Sequence, residues 1–171
     1  MSINTSPDKH ELVICANILV KNNGRYLMIR RSPLKKYYPD YLHAIGGKVD
    51  LNEEPLVAAK RELMEEAGVE VINLKLEAVV SEVILEKDEV YDSNWQVFYF
   101  SGDYEAGELK TTEEGELLWL TPEQIKKDKL SDSFREISEY IFDPNKGAVF
   151  AKFSYDKDDV MTEKIINVCV S

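Results

Sequence analysis

Glu62, Glu65 and Glu66 stand at i, i+3 and i+4, a spacing that places three carboxylates on one face of a helix within reach of a shared ion. Like charges so placed repel one another unless a cation sits between them. Magnesium and manganese are hard ions that prefer oxygen ligands and keep several waters, so a half-open glutamate cluster suits them better than zinc. A water bound there can become a nucleophile. Arg61 precedes the first of these acids and lies eight residues beyond Glu53, where a bidentate contact can orient a carboxylate or the charge can offset a phosphate. Gly46 and Gly47 let the backbone approach closely, and a free carbonyl there can complete a metal shell. An acidic stripe alone is ordinarily a solvated helix face. The whole pattern is more specific: Gly47, five residues, Glu53, seven residues, then Arg61-Glu62-Leu63-Met64-Glu65-Glu66-Ala67-Gly68-Val69. Background residue frequencies give a chance match on the order of one in ten million.

Such a cluster needs a helix to carry it and a sheet to hold the helix. Asn52 is suited to cap that helix, Glu53 and Glu54 suit its positive end, and Pro55 fits the first turn. The helix is expected to run to about Ala67, with Gly68 taking the left-handed position beyond it. Leu56, Ala59, Leu63 and Ala67 repeat at helical spacing and face the core. Upstream, Glu11 to Val20 and Arg25 to Arg31 flank a turn at Lys21-Asn22-Asn23-Gly24 and read as a hairpin. Ser32 to Asp40 reads as a loop, followed by the short glycine-punctuated stretch His43 to Val49. Downstream, Val69 to Glu86 reads as one or two strands, and Trp95 to Phe100 and Leu117 to Leu120 as one each. Thr121 and Pro122 open a short helix, and Ser133 to Phe142 forms a second. Val149 to Tyr155 and Ile165 to Val170 are expected to pair as a terminal hairpin within residues 147–171. This order predicts an α/β fold with a mixed sheet and helices packed on it.

The 171 residues, 44% of them hydrophobic and without a linker-like tract, suggest one domain over residues 1–171, with residues 1–10 a flexible N-terminus. The net charge of −11 and pI near 4.7 disfavour a nucleic-acid polymer or an anionic membrane as partner. A bound dication would invert the sign locally and let an acidic protein hold phosphate. No apolar run is long enough to span a bilayer, and Met1 to His10 lacks the core of a signal peptide, so a cytoplasmic location is expected. Cys15 and Cys169 are too few for a disulfide framework and read as free thiols. Monomer and homodimer both remain open.

From Gly47 to Val69 the chain resembles, at every defined position, the signature of the Nudix hydrolase family, which hydrolyses a nucleoside diphosphate linked to another moiety. The likeness extends over about Glu11 to Phe142. It implies an α/β/α sandwich with a mixed sheet and the signature as loop-helix-loop. It further implies Mg²⁺, with Mn²⁺ as a substitute, held by Glu62, Glu65, Glu66 and the Gly46 carbonyl, with Arg61 and Glu53 keeping helix and carboxylates in place. The reaction implied is attack of a metal-activated water on phosphorus. Glu65 or Glu62 is the first choice for the base. Glu114, in the acidic stretch Thr111 to Glu116, is the second and a further candidate metal ligand.

For the substrate, Ile45-Gly46-Gly47-Lys48-Val49 and the segment Val149 to Asp156 resemble nucleoside-triphosphatase members. Ile84 stands where ADP-ribose-type members tend to carry proline, and Leu85 and Glu86 where dinucleoside-polyphosphate members tend to have tyrosine. The expected substrate is a small nucleotide, a nucleoside triphosphate such as 8-oxo-dGTP, cut to monophosphate and pyrophosphate. Hydrolysis of ADP-ribose, a nucleotide sugar or a dinucleoside polyphosphate is the alternative, as is a non-catalytic nucleotide-sensing module. Such a module would normally have lost part of the acidic signature. Candidates for binding the substrate are Arg30 and His43, flanking the cleft by chain order, with Gly47, Lys48 and Asp132, whose carboxylate can accept from a purine edge. Trp95, Tyr99 and Trp119 are read as core.

Overall fold

The computed structural model describes residues 12–85, 91–110 and 112–169, so the expectations for residues 1–10 and for Glu11, Glu86, Thr111 and Val170 lie outside them. Val13–Asn22 (β1) and Arg25–Arg31 (β2) form the first hairpin. Its turn is narrower than the four residues expected, because Asn23 and Gly24 both adopt positive φ (49° and 73°) and reverse the chain by themselves. Short strands Leu42–His43 (β3) and Ile45–Lys48 (β4) lead to helix α1, Pro55–Glu66. After it come Val69–Leu85 (β5), Tyr91–Gly107 (β6), Gly115–Leu120 (β7), helices Pro122–Lys126 (α2) and Asp132–Ile141 (α3), then Val149–Tyr155 (β8) and Met161–Val168 (β9).

The sheet order is β3-β2-β1-β6-β5-β8-β9, with β4 paired to β1 and β7 to β2. β1 and β6 run parallel, as do β5 and β8, while the other pairs are antiparallel. Strand alternation divides the apolar residues between two faces. Ala16, Ile18, Val20, Leu27 and Ile29 pack with Ala58, Ala59, Leu63 and Ala67 of the α1 region. On the opposite face Leu19, Met28, Val80 and Phe153 pack with Ile125 of α2 and Phe134, Ile137 and Ile141 of α3. Helices therefore cover both sides of a mixed sheet, the expected α/β/α sandwich. No described helix is long and apolar enough to cross a membrane.

Several boundaries differ from the sequence reading. Asn52 does not cap α1: it sits at φ 68°, and Glu54 is the capping residue, its carboxylate accepting from the N–H groups of Leu56 and Val57 at 3.1 Å each. Pro55 dictates this, because the residue before proline is pushed into extended backbone, here φ −91° and ψ 140°. α2 starts as expected, with Thr121 and Gln124 capping each other. α3 begins at Asp132, one residue earlier than expected, behind a Ser131 cap. β5 is one strand bent by irregularities near Glu70, Ile72 and Leu76. Trp95 and Tyr99 pack into the core on the α3 face, and Trp119 into that on the α1 face.

Candidate active site

Capping by Glu54 frees Glu53, the preceding residue, to turn back toward α1. Its carboxylate accepts from the Asp50 N–H at 3.0 Å and receives Arg61 bidentately, Nε at 3.0 Å and Nη2 at 2.9 Å. The same guanidinium donates through Nη1 to Glu62 at 2.8 Å and Glu65 at 3.3 Å, and through Nη2 to the Lys48 carbonyl at 3.2 Å. One arginine thus ties the loop before α1 to two acids on the helix. These hydrogen bonds hold the Glu53 carboxyl below its ordinary range and raise the already high pKa of Arg61.

The glycines are required by contact. At Gly46, φ is 152° and a β-carbon would lie 2.2 Å from the Ala16 carbonyl oxygen, so only glycine fits. At Gly47 a β-carbon would lie 2.6 Å from Glu62 Oε1, so the absence of a side chain makes room for that carboxylate. Glu66 is partly buried beyond it. Burial, followed by the charge of Glu62, pushes its carboxyl up from 4.5 to about 7, against a hydrogen bond from the Gly46 backbone; Glu114 raises it further and Arg31 opposes. A cavity of about 40 Å³ opens between Gly46, Glu66, Glu114, His43, Arg31 and Asn17. Glu114 is held at its rim by Lys35 at 2.5 Å.

Among the described residues no three acidic, histidine or cysteine side chains gather closely enough to hold an ion. Glu62 and Glu65 are turned onto Arg61, and 59% of the Glu65 side chain is exposed. The chemistry of the donors nevertheless fits a hard dication. They are all oxygen, two glycines leave their approach open, and the like charges around Glu66 favour a cation between them.

The proposed substrate-binding residues fall in different places. Lys48 lies with Nζ 5.5 Å from the centre of the Trp95 ring. His43 is partly buried against the cavity, its pKa lowered to about 4 by burial and then by Arg31. Arg30 is not brought to the α1 carboxylates: both its terminal nitrogens donate to Asp128, at 3.0 and 2.6 Å, pinning β2 to the connection between α2 and α3. Asp132 begins α3 on the other face of the sheet, where burial, then the charge of Glu82, raises the phenols of Tyr38 and Tyr155 and the charge of Asp132 adds a smaller push.

Two residues escaped the sequence reading. Arg31 lines the cavity beside Glu66. Glu82 of β5 pairs across the strand with Trp95, hydrogen-bonds Ser133, and has its carboxyl raised chiefly by burial. The signal for Glu82 was present: it is an acid that continues the buried alternation of Ala78 and Val80.

Residues 10–141 match the NUDIX domain. YvcI, a Nudix hydrolase of Bacillus subtilis (strain 168), is 28% identical over 140 residues, covering 81% of this chain and 84% of that protein. An RNA pyrophosphohydrolase of Bartonella henselae is 37% identical over 98 residues, 51% of this chain and 55% of its own. An 8-oxo-dGTP diphosphatase of Proteus vulgaris is 35% identical over 69 residues, 40% of this chain and 61% of its own. A MutT protein from Bacillus halodurans shares the fold, with a TM-score of 0.79 at 23% identity over 91% of this chain and 97% of that one. Nudix hydrolases generally use divalent cations, typically Mg²⁺. With its mixed sheet covered on both faces and its signature loop and helix clamped by Arg61, the chain belongs to the NUDIX family and is an enzyme that hydrolyses pyrophosphate bonds in nucleotides.

Proposed function

We propose that this enzyme hydrolyses a nucleoside triphosphate, with 8-oxo-dGTP the leading candidate, to a monophosphate and pyrophosphate. Glu62, Glu65, Glu66 and the Gly46 carbonyl would hold Mg²⁺, or Mn²⁺ in its place, with Glu114 as a further oxygen donor. The observation that carries this reading is the Arg61 clamp, which fixes Glu53, Glu62 and the Lys48 carbonyl around a glycine-lined cleft. Bound there, the ion would supply Lewis acidity toward a phosphate oxygen and would acidify a water. The chain's own residues do the rest. Arg61 keeps the acids in register, Gly47 leaves room at the Glu62 carboxylate, and Arg31 places positive charge beside the cleft. Glu65 or Glu62 takes the proton of the attacking water, and Glu114 is the second candidate.

The purine base would lie on the α3 side of the sheet. Lys48 over Trp95, with Glu82, Ser133, Asp132 and Tyr155 nearby, offers aromatic area and carboxyl groups able to accept from purine N–H donors. Two relatives, an RNA pyrophosphohydrolase and an 8-oxo-dGTP diphosphatase, are named for different substrates. The net charge of −11 favours the small nucleotide over a polymer. We take residues 1–171 as one domain acting in the cytoplasm, as monomer or homodimer.

The test is a panel of canonical and oxidised nucleoside triphosphates, ADP-ribose, nucleotide sugars, dinucleoside polyphosphates and 5′-triphosphorylated RNA, ranked by kcat/KM in Mg²⁺. An oxidised purine triphosphate at the head of the ranking, with turnover abolished by Glu65→Gln, supports the reading. Binding of nucleotide without turnover in the parent protein would favour a sensing module.

A further inference from the structure

His43 presents a buried nitrogen that nothing in the fold satisfies. It stands on the two-residue strand β3, and its Nε2 is buried without a hydrogen-bond partner among the described residues. The imidazole lines the cavity shared by Glu66, Glu114, Asn17 and Gly46, with the Tyr38 ring centred 5.7 Å away. Leaving such a group unpaired forfeits its hydration with nothing in return. A histidine kept only for packing would have its polar atoms paired with protein groups or be replaceable by an apolar ring.

The size of the space limits what can meet that nitrogen. A water needs a cavity of roughly 10–15 Å³ and two to four polar partners, and this one offers about 40 Å³. Its wall carries the Asn17 amide, the Arg31 guanidinium and two carboxylates besides His43. An ionised carboxylate accepts only, so a molecule bridging His43 to Glu66 must donate to the acid and either accept from Nε2 or donate to it, according to the tautomer. Water does both.

We propose that His43 is a positioning residue that fixes the Glu66 carboxylate through one ordered water in this cavity and thereby strengthens divalent-cation binding. The inference rests on the metal reading given under Proposed function. Outer partners of a metal ligand typically change metal affinity or activity by about 10–100-fold when removed.

The experiment titrates Mn²⁺ alone into the full chain, following free Mn²⁺ by electron paramagnetic resonance, with metal-free melting measured alongside. His43→Leu is expected to bind Mn²⁺ about tenfold more weakly at a Tm no lower than the parent's. His43→Gln, whose amide reaches the position of Nε2, is expected to remain within about threefold of the parent. If His43→Leu fails to fold, His43→Ala takes its place, with the same expectation for affinity. Binding by the leucine or alanine variant within about twofold of the parent overturns the inference. So does equal weakening in the glutamine variant accompanied by a lower Tm, which marks a purely structural histidine. A folded parent that binds no Mn²⁺ refutes the metal reading itself, and the role of His43 falls with it.

Discussion

Glu66→Gln should stabilise the metal-free protein at alkaline pH while disabling the enzyme. In the fold the Glu66 carboxyl titrates at about 7 against 4.5 for the free side chain, mainly because it is partly buried and next because Glu62 is close. Its folded value lies above its unfolded one, so the protonated acid's full contribution is present below about pH 4.5 and is lost as pH rises through about 7. A shift of this size corresponds to about 3.4 kcal/mol at about 1.36 kcal/mol per unit. The side chain retains some exposure, so about 2 to 3 kcal/mol is the expected full effect. Glutamine never ionises and escapes the loss. Urea denaturation in EDTA should therefore show variant and parent drawing apart by about 2 kcal/mol between roughly pH 5 and pH 8.5, about 4–8 °C in Tm. A gap that does not grow with pH, or a variant less stable near pH 8.5, would refute the account of Glu66. A dication ligated by Glu66 must also displace its proton. Calorimetry near pH 6.5 in buffers of different ionisation enthalpy should detect release of about three-quarters of a proton on Mg²⁺ binding, lost in the variant.

Gly47→Ala should fold normally yet lose about 100-fold in kcat/KM, because the new methyl meets only the carboxylate end of the Glu62 side chain, 2.6 Å away, and pushes it off Arg61; matched melting curves and steady-state assays check both halves. Arg61→Lys should lose about 10–100-fold in kcat/KM and require more Mg²⁺ for half activation, since an ammonium cannot reproduce the bidentate grip on Glu53 together with the contacts to Glu62 and Lys48. Phe153→Ala removes a ring with 0% exposure beneath α3 and should cost about 3–5 kcal/mol in urea denaturation, with turnover per folded molecule unchanged.

The parts of the fold that local rules dictate were legible in the sequence. Asn23-Gly24 reverses the first hairpin, Thr121 and Pro122 start α2, and the apolar spacing of α1 gives its buried face. Boundaries were less legible where solvent or a neighbouring residue overrides the pattern. Pro55 moved the cap of α1 from Asn52 to Glu54 through its effect on the preceding residue. β9 starts at Met161 rather than Ile165 because Thr162, Glu163 and Lys164 lie on an exposed edge strand, where pairing with β8 needs no apolar alternation. β6 likewise extends to Gly107: Asp103 pairs with Ile72 of β5 despite its polarity, and Glu105 is carried along as the bulged residue between Tyr104 and Ala106.

The candidate site divides along the same line between local and long-range geometry. Glu53, Arg61, Glu62 and Glu65 belong to one loop and one helix, so their spacing already contains most of their geometry, and the clamp was readable. Residues contributed by the sheet depend on which way each strand faces, and there a single position decides. Arg30 and Arg31 are neighbours on β2, and adjacent strand residues point to opposite faces. Arg30 meets Asp128 on the α3 side, whereas Arg31 lies beside Glu66 on the α1 side. Composition and charge cannot distinguish the two. What distinguishes them is parity with Leu27 and Ile29, which pack beneath α1, against Met28, which packs on the α3 side. Parity with Ala78 and Val80 assigns Glu82 to the α3 face in the same way. In a sheet covered on both sides, the buried alternation of each strand therefore shows which of its charged residues can reach the acids of α1 and which face α2 and α3 instead.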